Sequence, residues 1–177
     1  MSVKAWEISA ENRETLIAGA FEAKNGSYSP YSKFPVGAAL LSVDGTLIKG
    51  ANIENASYDH STYIMCAWVL EGGTICAERT AIVKAVSEGK RSFIGLAVVT
   101  DVPSPISPCG ICRQVLREFC SLSMPILLVP GDYPQPPPKE GEETKPGVTE
   151  GGVKETTLDE LLPDSFGPEH LDLPRGS

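Results

Sequence analysis

Two short segments of the sequence contain residues that could perform metal chemistry. Cys76-Ala77-Glu78 supplies one thiolate and a carboxylate, and Cys109 and Cys112 supply two further thiolates. A structural zinc site normally has four protein ligands, whereas a catalytic zinc site leaves one position for water. Three cysteines with a glutamate beside them therefore predict a hydrolytic zinc enzyme.

The position of these residues on helices explains how one centre could be formed. If Cys76 and Cys109 each lie in the first turn of a helix, unpaired N–H groups and the helix dipole stabilise their thiolates. Cys112 returns to the same side of its helix as Cys109, whereas Glu78 lies nearly opposite Cys76. A shared metal must therefore lie beyond the helix end.

Arg79 is the predicted donor to the ligand sulfurs, because three thiolates leave zinc with a net negative charge. The alternative is that Arg79 is an ordinary surface cation of the helix.

Other interpretations of the cysteines stay open. Cys109-x-x-Cys112 alone could be a redox pair or half of a zinc ribbon, although a redox pair needs no upstream Cys-Ala-Glu and a ribbon needs a second cysteine pair. A purely structural zinc site would need a fourth ligand from an isolated residue such as His60, Cys66 or Cys120.

The pattern of apolar residues predicts an alternation of helices and strands around these segments. In chain order, we expect a helix over 9–24, strands over 36–43 and 46–53 joined by Asp44-Gly45, a helix from Cys76 to Gly89, a strand over 96–100, a helix from Cys109, a strand over 126–129 and a short helix over 158–162. This order implies an α/β fold with a mixed sheet flanked by helices.

Composition limits the classes of function. With 177 residues and 41% hydrophobic composition, the chain predicts a single domain over 1–177. A net charge of -8 argues against nucleic acid as a partner, because such binding depends on clustered Lys and Arg. No apolar run is long enough for a membrane helix. An odd number of cysteines, 5, favours a reducing compartment, so we expect a cytoplasmic protein, with the nucleus as an alternative.

Residues 134–157 differ in composition from the rest of the chain. They include Pro136-Pro137-Pro138, Glu142-Glu143 and Gly151-Gly152, and they offer little apolar surface to bury. We expect a Pro/Gly/Glu-rich solvated loop or disordered segment there, without a chemical role.

With these residues in place, the chain resembles the small homotetrameric zinc-dependent cytidine deaminases of pyrimidine salvage. The resemblance covers about residues 16–129 and 158–171, apart from two inserted stretches. It rests on Tyr31-Ser32-Lys33-Phe34-Pro35-Val36-Gly37-Ala38-Ala39-Leu40, Asn52-Ile53-Glu54-Asn55-Ala56, Cys76-Ala77-Glu78-Arg79-Thr80-Ala81, Ser107-Pro108-Cys109-Gly110-Ile111-Cys112-Arg113-Gln114 and Leu161-Leu162-Pro163-Asp164-Ser165-Phe166-Gly167-Pro168.

The resemblance implies a fold, a reaction and a cofactor. The fold is a three-layer α/β/α arrangement with a mixed central sheet. The reaction is the hydrolytic deamination of cytidine and deoxycytidine to uridine and deoxyuridine, with release of ammonia. It uses a zinc-activated water, one Zn²⁺ per subunit, and Glu78 as the catalytic proton shuttle. Cys76, Cys109 and Cys112 are the implied ligands, and the implied partners are a nucleoside and further copies of the chain in a homotetramer.

The resemblance also assigns substrate contacts. It implies that Asn52 and Glu54 hold the ribose hydroxyls, that the backbone of Ala77 contacts the base, that Phe34 walls the pocket and that Tyr31 lies near the sugar. Asn52 could instead end a strand in a turn, and Phe34 could be an ordinary core residue.

Two aromatic residues would act on a neighbouring subunit if the family pattern holds. The counterparts of Tyr58 and Phe166 reach the neighbour's site in the homotetramer, so that the assembly completes the pocket. The segment between Tyr58 and the catalytic helix departs from that pattern, which leaves the role of Tyr58 open.

An atypical insertion over 59–71 places about 13 extra residues between Tyr58 and Cys76. It contains the apolar run Tyr63-Ile64-Met65-Cys66-Ala67-Trp68-Val69-Leu70, which is unlike a solvated loop. Three hypotheses compete: a lid or subunit contact, a translated intron or gene-model error, and an addition whose His60 or Cys66 reaches the metal and blocks water. We favour the second, because excision would return Tyr58 to the family spacing.

Two functional alternatives also stay open. The first is a catalytically impaired or silent homologue that keeps zinc for structure and binds nucleoside or partner subunits. The second is a polynucleotide deaminase. The acidic balance disfavours the second, as does Cys76, where those enzymes usually have His.

Overall fold

The computed structural model describes residues 8–56, 73–137 and 146–171. Within these ranges the helices and strands are α1 (Ala10–Lys24), β1 (Gly37–Ser42), β2 (Leu47–Ala51), α2 (Ala77–Ser87), β3 (Phe93–Val99), α3 (Gly110–Phe119), β4 (Pro125–Val129), β5 (Lys154–Thr157) and α4 (Leu158–Leu161). Short 3-10 helices cover Glu150–Gly152 and Pro168–Leu171. Tyr58 and the predicted insertion over 59–71 lie outside the described residues.

The strands form one mixed sheet in the order β2-β1-β3-β4-β5. β1 pairs antiparallel with both β2 and β3, β3 pairs parallel with β4, and β4 pairs antiparallel with β5. The prediction of an α/β fold with a mixed central sheet is confirmed.

The interior strand β1 is buried on both faces, as its continuous apolar sequence requires. Ala38 and Leu40 point into the core on the side of α2 and α3, whereas Ala39 and Leu41 point into the core on the side of α1. The sheet is therefore the middle layer between two layers of helix.

Local signals in the sequence begin and end the elements as predicted. Ser9 is the N-cap of α1, and its Oγ accepts a hydrogen bond from Asn12 N at 3.2 Å. Gly45 turns the β1–β2 hairpin with φ of 83°. Gly89 also has φ of 83°, just beyond the C-cap of α2.

A glycine brings α2 close to the sheet. A Cβ at Gly50 in β2 would collide with the carbonyl oxygen of Ala77 and the amide nitrogen of Ala81. The first turn of α2 therefore lies against the backbone of β2, and Cys76 is held at the helix start.

The structure corrects the prediction for 134–157. The last four residues of that segment, Lys154–Thr157, form the edge strand β5, with Thr156 and Thr157 buried. The prediction of a solvated or disordered loop is wrong there, because the free edge of β4 supplies backbone hydrogen-bond partners that local composition does not reveal. β3 also begins at Phe93, earlier than predicted.

Across 8–56, 73–137 and 146–171, no helix is both long and apolar enough to cross a membrane.

Candidate metal centre and active site

The two predicted cysteine segments meet at the N-termini of α2 and α3. Cys76 is the N-cap of α2 and Cys109 the N-cap of α3, both in extended backbone conformation. Cys112 lies one turn into α3 and is fully buried. The Sγ atoms of Cys76 and Cys109 are 3.9 Å apart, and those of Cys109 and Cys112 are 3.3 Å apart.

This sulfur triangle fits a tetrahedral zinc ion. With Zn–S distances near 2.3 Å, tetrahedral ligand sulfurs lie about 3.8 Å apart. All three Sγ atoms lie within 4.8 Å of one another. Three soft thiolates at this spacing are a donor set that zinc prefers, so the residues present fit the metal.

Arg79 contributes positive charge to the cluster, as predicted from its place beside Glu78. Its Nη2 donates to the Sγ of Cys76 at 3.4 Å and to the carbonyl oxygen of Thr74 at 3.2 Å. Its Nε is buried, and within the described residues it has no hydrogen-bond partner. A hydrogen bond from Cys112 and the nearby guanidinium lower the pKa of Cys76 to about 5. The guanidinium of Arg79 therefore favours the thiolate form of Cys76.

A cavity of about 280 Å³ opens beside the sulfur cluster. Predicted site residues that line it are Phe34, Asn52, Glu54, Cys76, Ala77, Glu78 and Cys109. Strand β3, the segments before β1 and after β2, and the starts of α2 and α3 therefore surround one space that contains Cys76, Cys109 and a carboxylate.

Glu78 is the buried carboxylate of this cavity. Its exposed fraction is 5%, and it lies in the first turn of α2. Burial raises the pKa of Glu78 to about 7, and the neighbouring Cys76 thiolate acts in the same direction.

Glu54 is a half-buried residue of the cavity lining, and its carboxylate accepts backbone hydrogen bonds. Its Oε2 accepts from Tyr31 N at 2.8 Å, and both carboxylate oxygens accept from Ser32 N at 3.2 and 3.3 Å. Partial burial raises the pKa of Glu54, but the hydrogen bonds from Ser32 and Tyr31 outweigh it, so the pKa lies below the ordinary value of 4.5. The carboxylate is held as an anion.

Asn52 fixes the wall of the cavity. Its Oδ1 accepts from Ser27 Oγ at 2.6 Å and from Val36 N at 2.8 Å, and its Nδ2 donates to Phe34 O at 2.9 Å. Asn52 is 9% exposed, so most of its polar capacity is used inside the protein. Its side chain therefore sets the position of Phe34 and Val36, and it leaves one Nδ2–H for a ligand.

Other predicted site residues lie outside the cavity lining. The Tyr31 side chain is 54% exposed, and its backbone N–H is what reaches Glu54. Phe166 is 58% exposed, stacks on His170 with ring centroids 5.4 Å apart, and its carbonyl oxygen accepts from Gln114 Nε2.

Sequence reasoning missed several lining residues: Ser32, Val36, Thr74, Val98, Thr100, Ile106 and Ser107. Ser107 had a usable signal, because it directly precedes Pro108-Cys109. Arg113 Nη2 donates to Ser107 Oγ at 2.8 Å, and Arg113 Nε donates to Pro108 O at 2.7 Å. Arg113 therefore holds the loop that leads into the third helix.

Comparison with known proteins agrees with this site. Residues 10–127 match the family described as the cytidine and deoxycytidylate deaminase zinc-binding region. The chain belongs to this cytidine deaminase family. The matched range includes the sulfur triangle and Glu78, so the zinc-binding assignment applies to the residues that form the cluster here.

Individual cytidine deaminases match over most of their length. The chain is 46% identical to a cytidine deaminase of Sporosarcina psychrophila over 89% of this chain and 93% of that protein. It is 42% identical to a cytidine deaminase of Halalkalibacterium halodurans over 91% and 98%. A solved cytidine deaminase structure from Burkholderia pseudomallei aligns with a TM-score of 0.68 and 34% identity, over 90% of this chain and 100% of that one. The sequence-based assignment to a zinc-dependent deaminase family is confirmed.

Proposed function

We propose that the protein catalyses the hydrolytic deamination of cytidine and deoxycytidine, releasing ammonia and forming uridine and deoxyuridine. One observation carries the proposal: Glu78 lines the same cavity as Cys76 and Cys109, whose sulfurs lie within 4.8 Å of the buried Cys112 sulfur, so a carboxylate and a metal centre can act on one bound molecule. The family membership supports the same reaction class.

The chemistry divides between the metal and Glu78. Zinc held by Cys76, Cys109 and Cys112 supplies Lewis acidity toward a water molecule. Glu78 accepts one proton from that water and delivers it to N3 of the pyrimidine as the water oxygen adds to C4. It then accepts the remaining proton from the new C4 hydroxyl and delivers it to the amino nitrogen, so that the C4–N bond breaks, ammonia leaves and the C4 carbonyl forms. Glu78 lies in the first turn of α2, and this turn can pack against the sheet because Gly50 has no side chain.

The rest of the cavity orients the nucleoside. Phe34 supplies an aromatic wall, and Asn52 anchors that wall through the Phe34 carbonyl. The Glu54 carboxylate accepts hydrogen bonds from sugar hydroxyls, the free Nδ2–H of Asn52 donates to the sugar, and the backbone of Ala77 contacts the base.

We also propose the assembly and the location of the enzyme. The exposed ring of Phe166 supports a homotetramer in which it reaches a neighbouring subunit's site, as Tyr58 would. Helices on both sides of one sheet support a single domain. Thiolate ligands and an odd number of cysteines support a cytoplasmic location.

Activity measurements separate this proposal from a silent zinc-binding homologue and from a polynucleotide deaminase. Zinc-loaded protein incubated with cytidine should release uridine and ammonia in equal amounts. A folded, zinc-loaded protein that binds cytidine without turnover would support the silent homologue instead. Faster deamination of a single-stranded oligonucleotide than of cytidine would support the polynucleotide deaminase.

A further inference from the structure

Lys33 has an unusual backbone conformation next to the cavity. Its φ is 56°, in the left-handed region that residues other than glycine, asparagine and aspartate seldom adopt. The other described non-glycine residue with positive φ is Asp164, in the C-terminal segment. The neighbours of Lys33 on each side, Ser32 and Phe34, both line the cavity.

The conformation of Lys33 closes a tight turn over residues 29–34. Lys33 N donates to Ser29 O at 3.0 Å, and Phe34 N donates to Ser32 Oγ at 3.1 Å. A residue in the left-handed region is a common way to end one turn of helix-like backbone and to reverse the chain. The turn therefore depends on the backbone angle at residue 33.

This turn is also what orients Glu54. The backbone N–H groups of Tyr31 and Ser32 project from the turn, and both donate to the Glu54 carboxylate. Two such donors fix the orientation of a carboxylate and favour its anionic form. If residue 33 left the left-handed region, the N–H groups of Tyr31 and Ser32 would turn away from Glu54. The Glu54 carboxylate would then still line the cavity, but it would lose both of its backbone donors.

We propose that Lys33 is a positioning residue for sugar recognition: its left-handed backbone, rather than its charge, aims the Tyr31 and Ser32 amides at Glu54. The contact between Glu54 and sugar hydroxyls in this inference rests on the proposed function. The side chain of Lys33 is exposed, so removing it leaves the packing of the core intact.

Three substitutions separate the backbone effect from the charge effect. Lys33→Gly removes the charge and adopts positive φ freely. Lys33→Val removes the same charge, but its β-branched side chain disfavours the left-handed region. Lys33→Ala also disfavours positive φ, but less strongly than Lys33→Val, and it replaces Lys33→Val if that variant does not fold. Thermal stability and bound zinc are measured for each variant.

The first readout needs no ligand. An NMR titration of the Glu54 carboxyl, assigned with Glu54→Gln, should find its pKa below the ordinary range in the wild type. The Lys33 charge contributes to this shift, so the pKa in Lys33→Gly should be slightly higher than in the wild type but still below the ordinary range. In Lys33→Val the pKa should rise toward the ordinary value, because the two amide donors are lost. Equal Glu54 titration in Lys33→Gly and Lys33→Val would overturn the proposal.

The second readout uses substrates with and without sugar hydroxyls. Lys33→Val should raise KM for cytidine on the order of tenfold and change kcat little, because a binding contact is lost. The two variants should have the same KM for 2′,3′-dideoxycytidine, which lacks those hydroxyls. A KM increase for both substrates would indicate general damage and contradict the proposal. If wild-type protein converts no cytidine, the proposed function fails, and the Glu54 titration still decides the role of Lys33.

Discussion

The guanidinium of Arg79 donates a hydrogen bond from Nη2 to the Sγ of Cys76 at 3.4 Å. The same nitrogen also donates to the carbonyl oxygen of Thr74, so the side chain is bound to the segment that leads into α2. Three thiolates would give a zinc centre an excess of negative charge, and the guanidinium offsets part of it. Arg79 therefore connects the segment before α2 to the sulfur of Cys76.

Removing this guanidinium should weaken metal binding. We expect Arg79→Ala to reduce zinc affinity about 10- to 100-fold, which is the usual cost of losing a partner of a metal ligand. Competition with a chromophoric chelator measures the affinity. Lys84→Ala is the matched control, because Lys84 is an exposed cation on the same helix. Equal zinc affinity in the two variants would show that the Arg79–Cys76 hydrogen bond has no role in holding the metal.

Thiol reactivity should distinguish the half-buried cysteines Cys76 and Cys109 from the buried Cys112 and Cys120. Burial raises the pKa of Cys120 to about 12, so its thiol stays protonated and unreactive in the folded protein. Cys112 is fully buried, and a hydrogen bond with Cys76 together with this burial raises its pKa as well. In a Cys66→Ser background, zinc-loaded protein should react slowly with a thiol reagent. After chelation Cys76 and Cys109 should react, and Cys112 and Cys120 should react only on unfolding. Mass spectrometry of the labelled peptides identifies each site, and labelling of Cys120 before Cys76 would contradict this assignment.

The sequence predicted the metal site better than the edge of the sheet. The ligand cysteines and Glu78 are recognisable because their chemistry depends on residue type and on short spacing at two helix starts. β5 was not predicted, because Lys154 and Glu155 provide no apolar pattern. Their strand conformation comes from pairing with β4. Such pairing is a contact between distant parts of the chain, which local composition does not encode.

The cavity lining was only partly predictable for a similar reason. Thr74 comes from the connection before α2, whereas Ile106 and Ser107 come from the connection before α3, and only the fold brings these two connections to one space. The sequence also could not reveal that the Tyr31 backbone, rather than its ring, would reach Glu54. Main-chain hydrogen bonds depend on backbone angles, as the positive φ of Lys33 illustrates.

The hairpin ion pair predicts how stability depends on pH. Lys90 Nζ donates to Asp44 at 2.7 Å and Thr46 N donates to it at 3.0 Å, which holds the pKa of Asp44 well below its ordinary value of 3.8. The stabilisation is complete above the ordinary pKa, where folded and unfolded chains are both ionised. It is lost as the pH falls through the folded-state pKa, because the unfolded chain binds the proton first.

Asp44→Asn isolates this charge, because the amide oxygen can still accept from Thr46. We expect a lower melting temperature than the wild type at pH 7 and a smaller difference at pH 3. Thermal unfolding at both pH values measures this difference in melting temperature. Glu88→Gln is the control, because it removes an exposed carboxylate near the same loop. A constant difference between Asp44→Asn and the wild type at both pH values would contradict the proposed role of the charge.

Deleting residues 59–71 tests whether folding, assembly and activity need the insertion. The flanking residues Ile53 and Ile75 pair across an antiparallel bridge, so the two ends of the intervening chain leave from neighbouring points. A shorter connection can therefore join them. We expect the deletion protein to form a tighter tetramer with equal or higher cytidine turnover, measured by gel filtration with light scattering and by uridine formation.

A glycine-serine replacement of 59–71 with the same length is the control for the deletion. It removes the apolar residues and keeps the chain length, so it separates the effect of sequence from that of spacing. Loss of folding in both proteins would show that the insertion belongs to the core.

The central claim is that Glu78 moves protons at a zinc centre to deaminate cytidine. The most direct test compares kcat for cytidine in zinc-loaded wild type and zinc-loaded Glu78→Gln, with bound zinc and nucleoside affinity measured on the same samples. The amide keeps the size of the side chain and cannot accept a proton, so kcat should fall at least about 10²-fold while zinc content stays unchanged. Undiminished uridine formation by Glu78→Gln would contradict the account.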